Sequence, residues 1–315
     1  MSEPDRVLRT LTRAQGANQL LVDGSIEPAG FSLAFEEVPV LVDGFSRMVR
    51  TLEFDVSEMA LTTYLTAREH GVAFTALPIF LVRGFHHGAI LYNTRSGIRT
   101  PADLEGRRVG VNRGYTVTTG VWARGILSAE YGVDLGRVTW VLSGHEHVDT
   151  YVPPPNVEPA GQGTDLAAML IAGDIDAVIG VNVDHPDVAP LISEPQEAAM
   201  TALLRRNFYP INHLIVVKDS VLQRHPAVAS ALFDAFAEAK LRYVDRLRAG
   251  DVSSATDRLY ARVLQATGAD PLPYGVEPNR AMLEELIGYA LSQHILTRRV
   301  EVDEMFAPAT VALTA

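Results

Sequence analysis

The chain has no cysteine, which excludes disulfides, thiolate metal centres and cysteine nucleophiles. No stretch approaches the ~18 consecutive apolar residues of a membrane span, so no membrane partner is expected. The opening residues Met1 to Thr12, MSEPDRVLRTLT, are acidic early and lack the apolar centre of a secretory leader. The expected location is the cytoplasm. Basic charge is scarce too: 27 Lys and Arg face 38 Asp and Glu, a net charge of −11. Nucleic acid is therefore not an expected partner, because phosphate binding needs a basic face. An anionic ligand is still allowed where Arg, His and helix N-termini gather locally. No GxGxxG follows a strand, and there is no P-loop and no GxSxG. No lysine lies in a context suited to a Schiff base, and nothing calls for a cofactor.

What is present is an ordinary globular composition, 47% hydrophobic and 21% charged over 315 residues, a length natural for two lobes. Val7 to Leu11 and Phe31 to Glu36 read as strands, Phe45 to Leu52 has helical spacing, and Phe54 to Val56 is a short buried strand. Ser57 suits the N-cap of a helix from Glu58 to His70, with Gly71 as its stop, and Val72 to Val82 returns as a strand. The rhythm repeats. His87 to Tyr92 is a strand, Thr100-Pro101 opens a short helix, and Arg108 to Val111 is a strand. A tight loop at Asn112 to Tyr115 leads into a helix ending near Glu130. Val138 to Leu142, Ala177 to Val181 and Pro210 to Val217 complete the strands, Tyr151 to Gly163 reads as a surface loop, and Thr164 to Ala172 as a helix. Everything after Asp219 is mostly helical. Such alternation predicts an α/β protein with parallel-rich sheets flanked by helices.

Two stretches, Phe85 to Asn93 and Phe208 to Val217, begin polar, aromatic and His-bearing and then turn apolar. They bracket an α/β unit of roughly a hundred residues, an ordinary domain size. The expected division is a discontinuous first lobe, 1–88 plus 214–315, and an inserted second lobe, 89–213, joined by two hinge crossings. The helical end of the chain is expected to pack on the first lobe. Ligands in such proteins lie in a cleft between lobes, at strand C-termini and helix N-termini.

Phe54 to Met59, Thr100 to Gly114 (TPADLEGRRVGVNRG) and Leu170 to Gly180 (LIAGDIDAVIG) resemble type II solute-binding proteins. Gly144 to Val148 (GHEHV), Pro153 to Glu158 (PPPNVE), Tyr209 to His213 (YPINH) and Pro273 to Arg280 (PYGVEPNR) resemble the 4,5-dihydroxyphthalate decarboxylases. This resemblance runs from about Leu8 to Phe306. It implies a two-lobed type II periplasmic-binding-protein-like fold. It also implies a carboxy-lyase that takes a small aromatic carboxylate and forms a dihydroxybenzoate and carbon dioxide. The alternatives are a solute-binding protein delivering a small aromatic or sulfonated anion to a transporter, and a dehydratase acting on chorismate.

A decarboxylase of this kind needs an anchor for carboxylates, a general acid near a ring carbon and an acceptor for a phenol proton. Arg113, Gly114, Tyr115, Thr116 and Thr118 lie where a strand meets a helix and suit a carboxylate, although the threonines also suit helix capping. His86 and His87 sit at the first crossing beside Arg83, and Asn212 and His213 at the second; hinge hydrogen bonding is their other reading. Strand alternation would let one of His86 and His87 face a ligand. Glu58 is the candidate acceptor for a substrate hydroxyl, or else a carboxylate favoured by a helix dipole. His145, Glu146 and His147 form a close triplet, but His-x-His without a third ligand is a weak metal signal. No metal is expected, and His145 is assigned to the substrate. Gln15 and Asn18 follow the first strand and are placed to reach a ligand. The apolar stretch Ala307 to Ala315 is a candidate homo-oligomer surface.

Overall fold

The computed structural model describes residues 6–161 and 163–315. Among them the strands are β1 (Val7–Leu11), β2 (Ser32–Phe35), β3 (Val56–Ala60), β4 (Phe74–Arg83), β5 (Ile90–Asn93), β6 (Arg108–Val111), β7 (Thr139–Leu142), β8 (Val157–Pro159), β9 (Ala177–Ile179), β10 (Val188–Pro190) and β11 (Ile211–Lys218). The chain divides into two compact units. Unit 1 runs to Gly84 and includes Ile211–Glu284 and Val300–Ala315; unit 2 is Phe85–Pro210 with Glu285–Arg299.

Unit 1 is built on a five-stranded sheet in the order β2-β1-β3-β11-β4. β1 runs parallel to β2 and β3, whereas β11 is antiparallel to both β3 and β4. The central strands are buried on both faces, which is why they read as nearly continuous apolar runs. Phe54, Met59, Phe80, Leu214 and Phe236 are all fully buried, and each contributes roughly 1.5–3 kcal/mol by leaving water. The long helix Val228–Arg248 covers this sheet with one buried stripe. The apolar C-terminal stretch is laid against unit 1 itself: Ala307 donates its N–H to Ala76, and Tyr274 pairs with Ala315.

Unit 2 carries a six-stranded sheet in the order β10-β5-β9-β6-β7-β8. β9, β6, β7 and β8 are mutually parallel, and β5 and β10 are antiparallel additions at one edge. Val141, Leu166, Leu170, Ile175 and Val178 form its core. The helix Arg280–Ser292 crosses the division between the units, and its second half packs in unit 2, with Tyr289 edge-on to Trp122.

Several sequence-based boundaries are corrected. Glu58 does not start a helix; it lies inside β3, and the helix begins at Leu61. The ladder to β11, from Val56↔Val217 to Ala60↔His213, holds the backbone extended past Ser57, so the non-local pairing overrides the local capping signal. Ser57 turns its hydroxyl to the Glu58 carbonyl instead. His86 and His87 are not strand residues either. His87–Ala89 is a single 3-10 turn and β5 starts at Ile90, so the alternation expected for the pair does not apply. The Pro-rich segment from Tyr151 contains an edge strand, β8, paired in parallel with β7.

Candidate functional site

In unit 1, Glu58 is completely buried, and its carboxylate is the focus of a donor cluster. His213 on β11 meets Glu58 Oε1 through Nδ1 at 2.6 Å. The pairing explains the contact: Glu58 lies opposite Ile215 and His213 opposite Ala60, so the two side chains are diagonal neighbours on one face. Thr12 Oγ1 donates to Oε2 at 2.7 Å, and the Arg13 N–H donates to it at 3.2 Å. Gln15 Nε2 adds a longer bond at 3.3 Å to Oε1. Asn18 holds this loop in shape, accepting from the Gln15 N–H and donating to Thr12 Oγ1 and the Arg13 carbonyl. Burial alone would raise the Glu58 pKa, but the hydrogen bond and charge of His213, with the bonds from Thr12 and Arg13, outweigh it. The net shift is downward, so Glu58 is a carboxylate.

The imidazole is fixed on two sides. Glu58 holds Nδ1, and the ring of Phe45 meets His213 edge-on at 5.3 Å between centroids. Among the described residues Nε2 has no hydrogen-bond partner, and the His213 side chain is 19% exposed. Two tyrosines border the pair electrostatically. Tyr260 accepts from the Arg83 N–H at 3.3 Å, and burial pushes it up to about 12. Tyr274 is raised further by burial, with Tyr260, Asp270 and Glu58 adding to the effect, and among the described residues its buried hydroxyl has no hydrogen-bond partner. Arg83 itself is buried at the end of β4.

In unit 2, the loop after β6 holds a carboxylate, and the carboxylate is Glu146. The N–H groups of Tyr115 and Thr116 donate to it, the latter at 3.2 Å, and Thr116 Oγ1 donates at 2.6 Å. Gly114 makes room: a Cβ there would stand 2.6 Å from Glu146 Oε2. Arg113 has a left-handed backbone, φ 69°, that turns the chain, and its N–H donates to Ser143 Oγ at 2.8 Å. Its side chain is exposed. Thr118 begins the helix Thr118–Tyr131, but the N-cap position belongs to Val117, which makes no side-chain cap. Beneath the loop, Arg124 is fully buried with its guanidinium 3.8 Å from the centre of the Tyr115 ring.

The other candidates are placed less suggestively. His87 is fully buried, with Nε2 3.1 Å from Glu130 and its ring edge-on to Phe208. His86 is buried next to it in unit 2. His145 is exposed whereas His147 is buried, so the two do not share a face. Among the described residues no group of three or more His, Asp or Glu is arranged to hold a metal ion. No helix among them is long and apolar enough to cross a membrane. Asn212 lies in β11 next to His213, where the register against β4 is irregular between Ile211 and His213. Thr12, Arg13, Tyr260, Tyr274 and Arg124 join these clusters without having been singled out from sequence. Tyr274 alone carried a signal, as part of the PYGVEPNR segment.

Two sheets of this order, each flanked by helices, define a periplasmic-binding-protein-like fold. The periplasmic aliphatic sulphonate-binding protein SsuA from Escherichia coli matches it with a TM-score of 0.53 and 12% identity, over 97% of this chain and 99% of that one. No family model matches the sequence. Curated relatives do. A 4,5-dihydroxyphthalate decarboxylase from Comamonas testosteroni is 30% identical over 92% of this chain and 93% of its own length. One from Pseudomonas putida is 33% identical over 57% of this chain and 74% of its own length. The chain belongs to the 4,5-dihydroxyphthalate decarboxylase family.

Proposed function

We propose that the protein removes one carboxylate from 4,5-dihydroxyphthalate, forming a dihydroxybenzoate and carbon dioxide. Family membership supports the substrate, and the Glu58–His213 pair is the observation that carries the chemistry. Expelling carbon dioxide directly would leave an aryl carbanion. Each carboxylate of this substrate has a hydroxyl para to it, which opens an easier route. The ring carbon bearing the carboxylate takes a proton while the para hydroxyl gives one up to solvent water and becomes carbonyl-like. The carbon–carbon bond then breaks, carbon dioxide leaves, and the bonding pair restores the aromatic ring as the oxygen regains its proton. One proton enters the ring per carbon dioxide released, and the acid recovers it from solvent.

His213 Nε2 is the proposed proton donor. Glu58 at Nδ1 fixes the tautomer and stabilises the imidazolium before transfer, as an orienting carboxylate does in other acid–base pairs. His86 is the second candidate donor. His87 is engaged by Glu130, which favours a structural role for it. The loop Arg113–Thr118 is the proposed carboxylate anchor, with His145, Arg83 and Asn212 as further substrate contacts. The same reading puts the protein in the cytoplasm, which fractionation of producing cells tests.

The test is incubation with 4,5-dihydroxyphthalate, following carbon dioxide and dihydroxybenzoate. Release of both supports the proposal. Tight binding without turnover would favour solute binding instead.

A further inference from the structure

The loop Arg113–Thr118 was read from sequence as an anion site, and the anion found on it is the protein's own Glu146. Three donors converge on that side chain: the N–H groups of Tyr115 and Thr116 and the hydroxyl of Thr116. The seat is shaped for a carboxylate and nothing larger at its base, because the missing side chain of Gly114 is what admits the oxygens. The occupant is not part of a helix or strand. Glu146 lies between bends in the segment after β7, next to the exposed His145.

A second feature points to an anion independently. Arg124 is completely buried and forms no ion pair among the described residues. Its Nε donates to Gln293 at 2.8 Å and its Nη2 to the Tyr115 carbonyl at 2.6 Å. Among the described residues Nη1 has no hydrogen-bond partner, and it lies against Gly120, in the first turn of the helix that the loop opens. Burial lowers the Arg124 pKa, with Tyr115, Tyr151 and Glu146 acting against it. A buried guanidinium without an anionic partner is costly. Its position behind the carboxylate seat gives the loop a positive field beyond that of the backbone N–H groups.

We propose that Glu146 is an internal stand-in for a ring carboxylate: the seat formed by Tyr115, Thr116 and Gly114 is a substrate carboxylate subsite, and Glu146 competes for it. The identity of the incoming carboxylate rests on the decarboxylase reading above. Exchanging one carboxylate for another conserves every hydrogen bond of the seat and returns Glu146 to water. The exchange is therefore close to balanced, and the rest of the substrate decides it. Glu146 then acts as a specificity gate. A neutral ligand offers the three donors a weaker acceptor than a carboxylate and leaves Glu146 in possession.

Calorimetric titration with phthalate, a ring dicarboxylate lacking the hydroxyls, tests this in the full chain. With Glu146→Ala the seat is vacated, and phthalate should bind about tenfold tighter or more than to the wild type, since an internal competitor reduces apparent affinity by the fraction of seats left open. With Gly114→Ala the new methyl fills the seat, and phthalate should bind more weakly than to the wild type. Benzamide, a neutral and weaker acceptor, should gain far less than phthalate from Glu146→Ala. Unaltered thermal unfolding of both variants shows that the fold is kept. Equal or weaker phthalate binding by Glu146→Ala, or no phthalate binding by any of the three proteins, overturns the proposal. Carbon dioxide release from 4,5-dihydroxyphthalate by the wild type is measured alongside. Its absence removes the decarboxylase reading while the phthalate comparison still judges the seat; its presence with unchanged phthalate affinity in Glu146→Ala removes the seat alone.

Discussion

Glu58 on β3 and His213 on β11 meet at 2.6 Å across an antiparallel pair, with the carboxylate fully buried and the imidazole partly exposed. The carboxylate is fixed by its donors, and the proposed reaction uses the exposed side of the imidazole. This polarity is what an acid–base pair requires, and it sets the first expectation.

Replacing Glu58 by Gln should lower carbon dioxide release by about 10²-fold or more, the scale of a positioned proton-transfer group. The amide can no longer stabilise the imidazolium. It should also cost roughly 1–3 kcal/mol of stability, because the donors from Thr12 and Arg13 lose their charged acceptor. Initial rates and urea unfolding of the purified variant check both. Retained turnover with normal stability would count against the pairing.

The loop over Glu58 depends on Gly16. A Cβ there would fall 2.1 Å from the ring of Tyr243. Gly16→Ala should destabilise the protein by about 1–3 kcal/mol through overpacking. It should also reduce turnover, since Thr12, Arg13 and Gln15 reach Glu58 from that loop. Thermal unfolding and initial rates measure the two effects, and a variant indistinguishable from wild type would show that the loop yields freely.

Acid should unfold the protein through depressed carboxylates. Burial would raise Asp257, but the Tyr243 hydroxyl and the Ser253 and Ser254 donors hold it far below the ordinary range, and Glu58 is lowered as well. A group whose pKa is lower folded than unfolded binds its proton more readily in the unfolded chain. Its stabilisation is therefore complete above the unfolded value, about 4, and is lost as pH falls toward the folded value. The melting temperature should be flat in this respect down to about pH 5 and then decline, and Asp257→Asn should soften that decline. An equally steep loss in the variant would contradict the assignment.

Tyr64 and Tyr260 are each pushed up to about 12 by burial. Their neutral forms are favoured in the folded state, so that stabilisation is present below the ordinary tyrosine value, about 10, and fades as pH rises through the folded value. Absorbance at 295 nm should show a tyrosine fraction that fails to ionise near pH 10 until the protein unfolds. Removing Tyr260 as Phe should reduce that fraction.

Much of the architecture was legible in advance. β1 and β6 fall on Val7–Leu11 and Arg108–Val111 as periodicity predicts, and the Thr100-Pro101 start is a capping box with Asp103. The errors have a common physical source. Ser57-Glu58 has the local chemistry of a helix start, but a ladder to residues more than 150 positions away keeps it extended. The candidate residues divide the same way. The types at Glu58, His213 and the 113–118 loop were recognisable, because carboxylate, imidazole and a strand-to-helix turn announce their chemistry. That His213 meets Glu58, and that Glu146 fills the loop, depends on chain-distant neighbours that no local pattern encodes.

The most direct measurement is carbon dioxide release from 4,5-dihydroxyphthalate by the wild type and by His213→Ala under identical conditions. The expected result is turnover by the wild type and a loss of about 10²–10⁴-fold in the variant, with its fold retained by circular dichroism. Wild-type-like turnover in His213→Ala would contradict the assignment of His213 as the proton donor.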